Sequence, residues 1–76
     1  MNKERRKKLQ DIANQIEYLT NVLSDISVEE QDYRDNMPEN LQGSERYEKA
    51  DEAIDNIDSA MDSLNEAREY IESAME

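Results

Sequence analysis

Seventy-six residues make at most one small domain, and 9 Lys plus Arg against 20 Asp plus Glu leave a formal charge of −11. The chain has no Cys, His, Trp or Phe, which excludes Cys/His zinc sites, thiol redox chemistry, Cys or His nucleophile–base pairs and haem ligation by His. No apolar run approaches the roughly 20 residues of a membrane span, and the opening segment MNKERRKK has charge but no apolar stretch behind it, so neither a signal peptide nor a membrane anchor is expected and the expected location is cytoplasmic.

Charged residues are 38% of the chain and hydrophobic ones 36%, close to the balance of disordered segments. The arrangement decides for order, because the apolar residues fall on two long helical stripes. The first is Leu9, Ile12, Ile16, Leu19, Leu23 and Ile26, with steps alternating between three and four, the spacing of a coiled-coil seam. Leu19 is at the centre of this expected seam. Extending it meets Glu30, which violates the pattern, and then Tyr33. Asn2 is a suitable N-cap with Glu4 in the first turn. Ser27 and Glu30 have capping-box spacing, so a helix over about 3–35 either continues through Ser27 or restarts there; continuity is the favoured reading.

The break follows, from Asn36 to Gly43, and holds the only Pro and the only Gly. Pro38 lacks an N–H and disfavours the α region at Met37. Asn36 suits a left-handed C-terminal position, and Gly43 permits positive φ. Met37 and Leu41 are expected to plug the end of the helix pair. Ser44 then caps a second helix over about 44–75, with Glu45 in its first turn.

The second stripe is Tyr47, Ala50, Ile54, Ile57, Met61, Leu64, Arg68, Ile71 and Met75, again in steps of three and four. Beside it Ala53, Ala60, Ala67 and Ala74 recur every seven residues. Ala also has the highest helix propensity, but strict heptad spacing favours a packing surface that admits another helix. Two amphipathic helices on a short connector fold back as an antiparallel pair. The expected fold is therefore all-α, one helical-hairpin domain over 1–76. A turn centred near residue 40 pairs Ile26 with Ile54, Leu19 with Met61 and Tyr33 with Tyr47, to within about one turn. It also sets the basic cluster Lys3, Arg5, Arg6, Lys7 and Lys8 beside Glu69, Glu72 and Glu76, so that two ends mismatched to their own helix dipoles offset each other. A lone hairpin of this size has little core. Dimerisation into a four-helix bundle is expected through Ala53, Ala60, Ala67 and Ala74, with Ala13, Val22 and Val28 outside the first seam.

Catalysis and cofactors are not expected. Carboxylates are abundant but nothing suggests a pocket around a pair of them. Di-iron bundles need Glu-x-x-His, and EF-hand and phosphate-loop patterns are absent. The feature to weigh is acidity. Residues 50–67 contain no Lys or Arg, and Asp51, Asp55, Asp58, Asp62, Glu66 and Glu69 step by three and four along one side of the second helix. Such neighbours are ~5–6 Å apart, near the roughly 7 Å between phosphates on a strand whose rise is 3.4 Å per step. A rigid row of carboxylates can thus stand in for nucleic acid toward a basic protein. The bland alternative is a solvated, solubilising face, although such a face ordinarily mixes signs. Direct nucleic-acid binding by MNKERRKK is disfavoured by the acidity beside it. Tyr18 and Tyr70 fall off both seams, as rim residues or as anchors for a partner.

The turn Asn36-Met37-Pro38-Glu39-Asn40-Leu41-Gln42-Gly43-Ser44-Glu45-Arg46-Tyr47-Glu48, followed by acidic Ala/Ile/Asp heptads, resembles a group of small acidic helical proteins of unknown function encoded by phages and prophages of Firmicutes. The resemblance implies a phage-related origin, residence in a host cytoplasm and an inhibitor of a host nucleic-acid-binding or defence protein. It supplies no functional residues. Two functions fit these residues: a non-catalytic acidic binding protein that mimics nucleic acid, and a structural bundle oligomer without a charge-dependent partner.

Overall fold

The structure, a computed structural model covering residues 1–76, is all-helical. Helix α1 spans Lys3–Asp35 and α2 spans Glu45–Ala74, joined through one turn of 3-10 helix at Glu39–Leu41. The two long helices pack on each other along an antiparallel hairpin, a rod of 60 × 15 × 12 Å over its Cα atoms. Neither is long and apolar enough to cross a membrane.

Local chemistry sets the ends. Asn2 Oδ1 accepts from the Arg5 N–H at 2.8 Å and Ser44 Oγ from the Tyr47 N–H at 3.4 Å, each satisfying an otherwise unpartnered first-turn donor. Asn36 ends α1 with φ −89° and ψ 1°, not in the left-handed region expected of it. Gly43 alone has positive φ, at 86°, and the Ser44 N–H then bonds back to the Leu41 carbonyl at 3.0 Å. Met37 is buried under the turn at 8% exposure and Leu41 is 37% exposed, so Met37 is the more complete plug of the two. At the opposite end Arg6 Nε donates to the Met75 carbonyl at 3.2 Å. A basic side chain from the start of α1 thus satisfies a carbonyl at the end of α2, where the dipole favours a cation. The cluster makes no ion pair with Glu69, Glu72 or Glu76; its one bridge is local, Lys8 to Glu4 at 3.6 Å.

The first seam is rotated from its expected position. The covered residues Leu9, Ala13, Ile16, Thr20, Leu23, Ser27, Glu30 and Arg34 of α1, with Met37 just past its end, form an unbroken alternation of fours and threes, and Val22 and Gln31 beside them are partly covered too. Leu9, Ile16 and Leu23 belong to it as expected. Ile12, Leu19 and Ile26 do not: they are 44%, 49% and 43% exposed, and Tyr33 is 50% exposed. Their places are taken by Ala13 and Ser27, each only 2% exposed, and by Thr20 and Arg34. Ala13 is therefore inside the seam rather than outside it, and Glu30 continues the pattern rather than violating it.

The physical reason lies on α2. Its seam is Tyr47, Ala50, Ile54, Ile57, Met61, Leu64, Arg68, Ile71 and Met75, all covered at least in part, with Ile54 the most enclosed large side chain at 6% exposure. Branched and long chains from one helix fill a two-helix seam when the other offers small residues that permit close approach. Ser27 also shows why α1 is continuous there. Its hydroxyl donates to Asp58 Oδ1 at 3.3 Å and accepts from Gln31 Nε2 at 3.1 Å, so the side chain that could have capped a new helix is used across the seam. Ser27 opposite Asp58 and Arg34 opposite Asp51 shift the register by about one turn from the expected pairing of Tyr33 with Tyr47.

Candidate functional site

The six acidic residues of the row along α2, Asp51, Asp55, Asp58, Asp62, Glu66 and Glu69, are all exposed, but they divide into two sets. Asp51 and Asp58 follow the seam residues Ala50 and Ile57 by one position, which turns them toward α1. Arg34 Nη1 donates to Asp51 Oδ1 at 2.6 Å while its Nε donates to Asp35 Oδ1 at 3.0 Å, and Asp58 accepts from Ser27. The Arg34 guanidinium is held above its ordinary pKa, first by the hydrogen bond to Asp51 and then by that to Asp35. These two aspartates serve the hairpin. Asp55, Asp62, Glu66 and Glu69 have no cation within ion-pair distance and form the free part of the row.

Glu66 and Glu69, with Tyr70 and Ser73, also line a shallow depression of ≈ 410 Å³. Tyr70 is 71% exposed, an aromatic ring standing beside carboxylates on the outer face of α2. Tyr18 is equally bare on α1. Arg68, in the α2 seam, makes its nearest ion pair with Glu72 at 3.8 Å and no bond to Asp11 or Gln15; its Nε is buried without a hydrogen-bond partner. No three carboxylates converge closely enough to hold a metal ion.

A second surface is apolar. Ile12, Leu19, Ile26 and Tyr33 repeat every seven residues along α1, half exposed. Of the alanines expected to mediate association, Ala60 and Ala74 are exposed and Ala53 and Ala67 partly covered. At the turn, Tyr33 reaches a shallow cavity of ≈ 260 Å³ shared with Met37, Pro38, Leu41 and Arg46. The sequence carried a signal for the exposed α1 row, since Ala13, Thr20, Ser27 and Arg34 hold the same heptad spacing one residue later; size and polarity hid them as seam residues. Arg34 as the partner of Asp51 had no local signal, because the two are 17 positions apart.

Comparison with protein-family models, with curated proteins and with solved structures finds no match to this chain.

Proposed function

We propose that this chain is a non-catalytic acidic binding protein, a phage-type inhibitor that offers the free carboxylates of α2 to a basic protein in place of nucleic acid. The observation that carries the reading is the row Asp55, Asp62, Glu66 and Glu69, exposed and without an intramolecular cation on a rigid helix. A two-turn step along such a helix is about 10.5 Å, so the charges hold fixed spacing without an ordering cost on binding. Tyr70 beside Glu66 and Glu69 supplies the amphipathic ring that anchors many interfaces. Such a protein acts in a cytoplasm where its target is found.

The test is capture of basic proteins from a host lysate at low and high salt, by the wild type and by a variant with Asp55, Asp62, Glu66 and Glu69 changed to Lys. Charge-driven encounter weakens steeply with salt. The reading expects a partner that is lost from the variant, lost at high salt and displaced by added duplex DNA. A complex that survives all three treatments refutes it.

A second reading, a structural oligomer in which hairpins pair into a four-helix bundle, is favoured by the half-exposed row Ile12, Leu19, Ile26 and Tyr33. Ala53, Ala60, Ala67 and Ala74 serve self-association in that reading, and it is compatible with an acidic outer face.

A further inference from the structure

The α1 row and the alanine row lie on one side of the hairpin. Ile12, Leu19, Ile26 and Tyr33 each precede a seam residue by one position, as Ala53, Ala60, Ala67 and Ala74 precede Ile54, Met61, Arg68 and Met75. In an antiparallel pair such positions share an edge, opposite the edge on which Asp51 and Asp58 meet Arg34 and Ser27. The result is one face with large apolar side chains down one half and alanines down the other.

We infer that a second copy of this chain covers that face, laid antiparallel so that the two turns lie at opposite ends of a four-helix bundle. The inference rests on the self-associating reading above and adds to it the α1 row, the face and the orientation.

Surface area points to an occupant of this size. The chain exposes 5824 Å², whereas a compact monomer of 8.9 kDa exposes about 4,800 Å². The excess of about 1,000 Å² belongs to the whole 60 × 15 × 12 Å rod, and one standard stable interface, which buries ~800 Å² on each partner, removes most of it. The rows are also self-complementary. The α1 row is centred between Leu19 and Ile26 and the alanine row between Ala60 and Ala67. The register fixed by Ser27 and Asp58 sets these two centres at nearly the same height. A two-fold axis crossing the rod there lays Leu19 against Ile26 of the second copy and Ala60 against Ala67 of the second copy, as an isologous dimer requires. Each layer then holds two large side chains and two alanines, which keeps the core volume even along the bundle.

Charge selects the orientation. Residues 21–59, the turn half, carry three basic and twelve acidic side chains, whereas the opposite half, residues 1–20 with 60–76, carries six basic and eight acidic ones, with five of the six basic side chains at the start of α1. Turns at the same end would press the two most acidic halves together. The antiparallel arrangement sets Lys3–Lys8 beside the turn half of the second copy, an opposite-charge match. Arg5 and Arg46 continue the two rows by one heptad and have no carboxylate partner within the hairpin. In the antiparallel dimer Arg5 stands beside the turn of the second copy at Glu39, and Arg46 lies about 7.5 Å along the axis beyond Glu76 of the second copy.

Two measurements on the full chain test this. Sedimentation equilibrium should return twice the 8.9 kDa protomer mass; a monomer, or a larger assembly, overturns the inference. Ile26→Asp, at the centre of the face and outside the hairpin seam, should return the protomer mass with helical circular dichroism retained. A variant that stays dimeric assigns the interface to another face and overturns the inference. Orientation is read separately, and does not depend on that variant folding. The chain has no native Cys, so Gln42→Cys carries a single spin label at the exposed turn. The antiparallel dimer places the two labels near the 60 Å length of the rod apart. Turns at the same end, with helix axes about 10 Å apart, would bring them within about 25 Å; that result overturns the orientation and leaves the self-associating reading standing. A monomer removes both, and neither outcome bears on the free carboxylate row.

Discussion

Ile54→Ala should be the most costly single truncation in the hairpin. Ile54 is 6% exposed and no other large side chain is as enclosed. The change deletes three carbon groups, worth about 2.4 kcal/mol at ~0.8 kcal/mol for each buried methylene. A cavity term adds to this, although a seam one side chain wide relaxes more readily than a thick core, which holds the total near the lower end of the 2–5 kcal/mol range for such truncations. The better helix propensity of Ala returns about 0.4 kcal/mol. The net loss is about 2–3 kcal/mol, set against roughly 4–11 kcal/mol for a domain of this length at 0.05–0.15 kcal/mol per residue. For a domain this small the midpoint moves ~4–8 °C per kcal/mol, so Tm should fall by about 10–20 °C. Thermal unfolding followed by circular dichroism at fixed chain concentration measures it, with urea titration to check that the m-value is unchanged. A fall of less than about 4 °C at unchanged m-value would refute the claim that Ile54 anchors the seam.

Gly43→Ala should destabilise by about 1 kcal/mol from backbone strain alone, since φ is 86° and a Cβ there meets nothing within 4 Å; chemical denaturation reads it, and a neutral outcome would show that the turn has another route. Ser27→Ala should change stability by less than about 1 kcal/mol, the hydrogen bonds at 3.1 and 3.3 Å being offset by helix propensity; a large loss would mark the buried hydroxyl as essential to the register. A double-mutant cycle of Arg34→Met with Asp51→Ala should give a favourable coupling that shrinks with added salt. Because the Arg34 pKa is raised, its contribution is fully present below the unfolded value and is lost only as strong alkali reaches the folded one, so the Arg34→Met loss should be the same at pH 6 as at pH 9. A loss that changed between those two values would count against the assignment.

The sequence determined by itself that the chain is helical, that it breaks once between Asn36 and Gly43, and that Asn2 and Ser44 cap the two helices. These follow from local physics: the 3.6-residue period, the missing N–H of Pro38, and short polar side chains that bond to first-turn amides. The α2 seam was legible for the same reason, because Ile54, Ile57, Met61 and Leu64 have no rival set at neighbouring positions. On α1 the heptads offer two overlapping sets, both sharing Leu9, Ile16 and Leu23. Local hydrophobicity prefers Ile12, Leu19 and Ile26; the partner helix prefers Ala13, Thr20 and Ser27, because its own large side chains already occupy the space between the axes. Only tertiary structure settles that competition, since what is buried is decided by the volume the opposite helix leaves, not by the affinity of each residue for water. The same rotation of α1 then divides the acidic row, turning Asp51 and Asp58 to Arg34 and Ser27 and leaving Asp55, Asp62, Glu66 and Glu69 free. In the sequence all six are equivalent carboxylates at helical spacing; a neighbour 17 or 31 residues away makes them different.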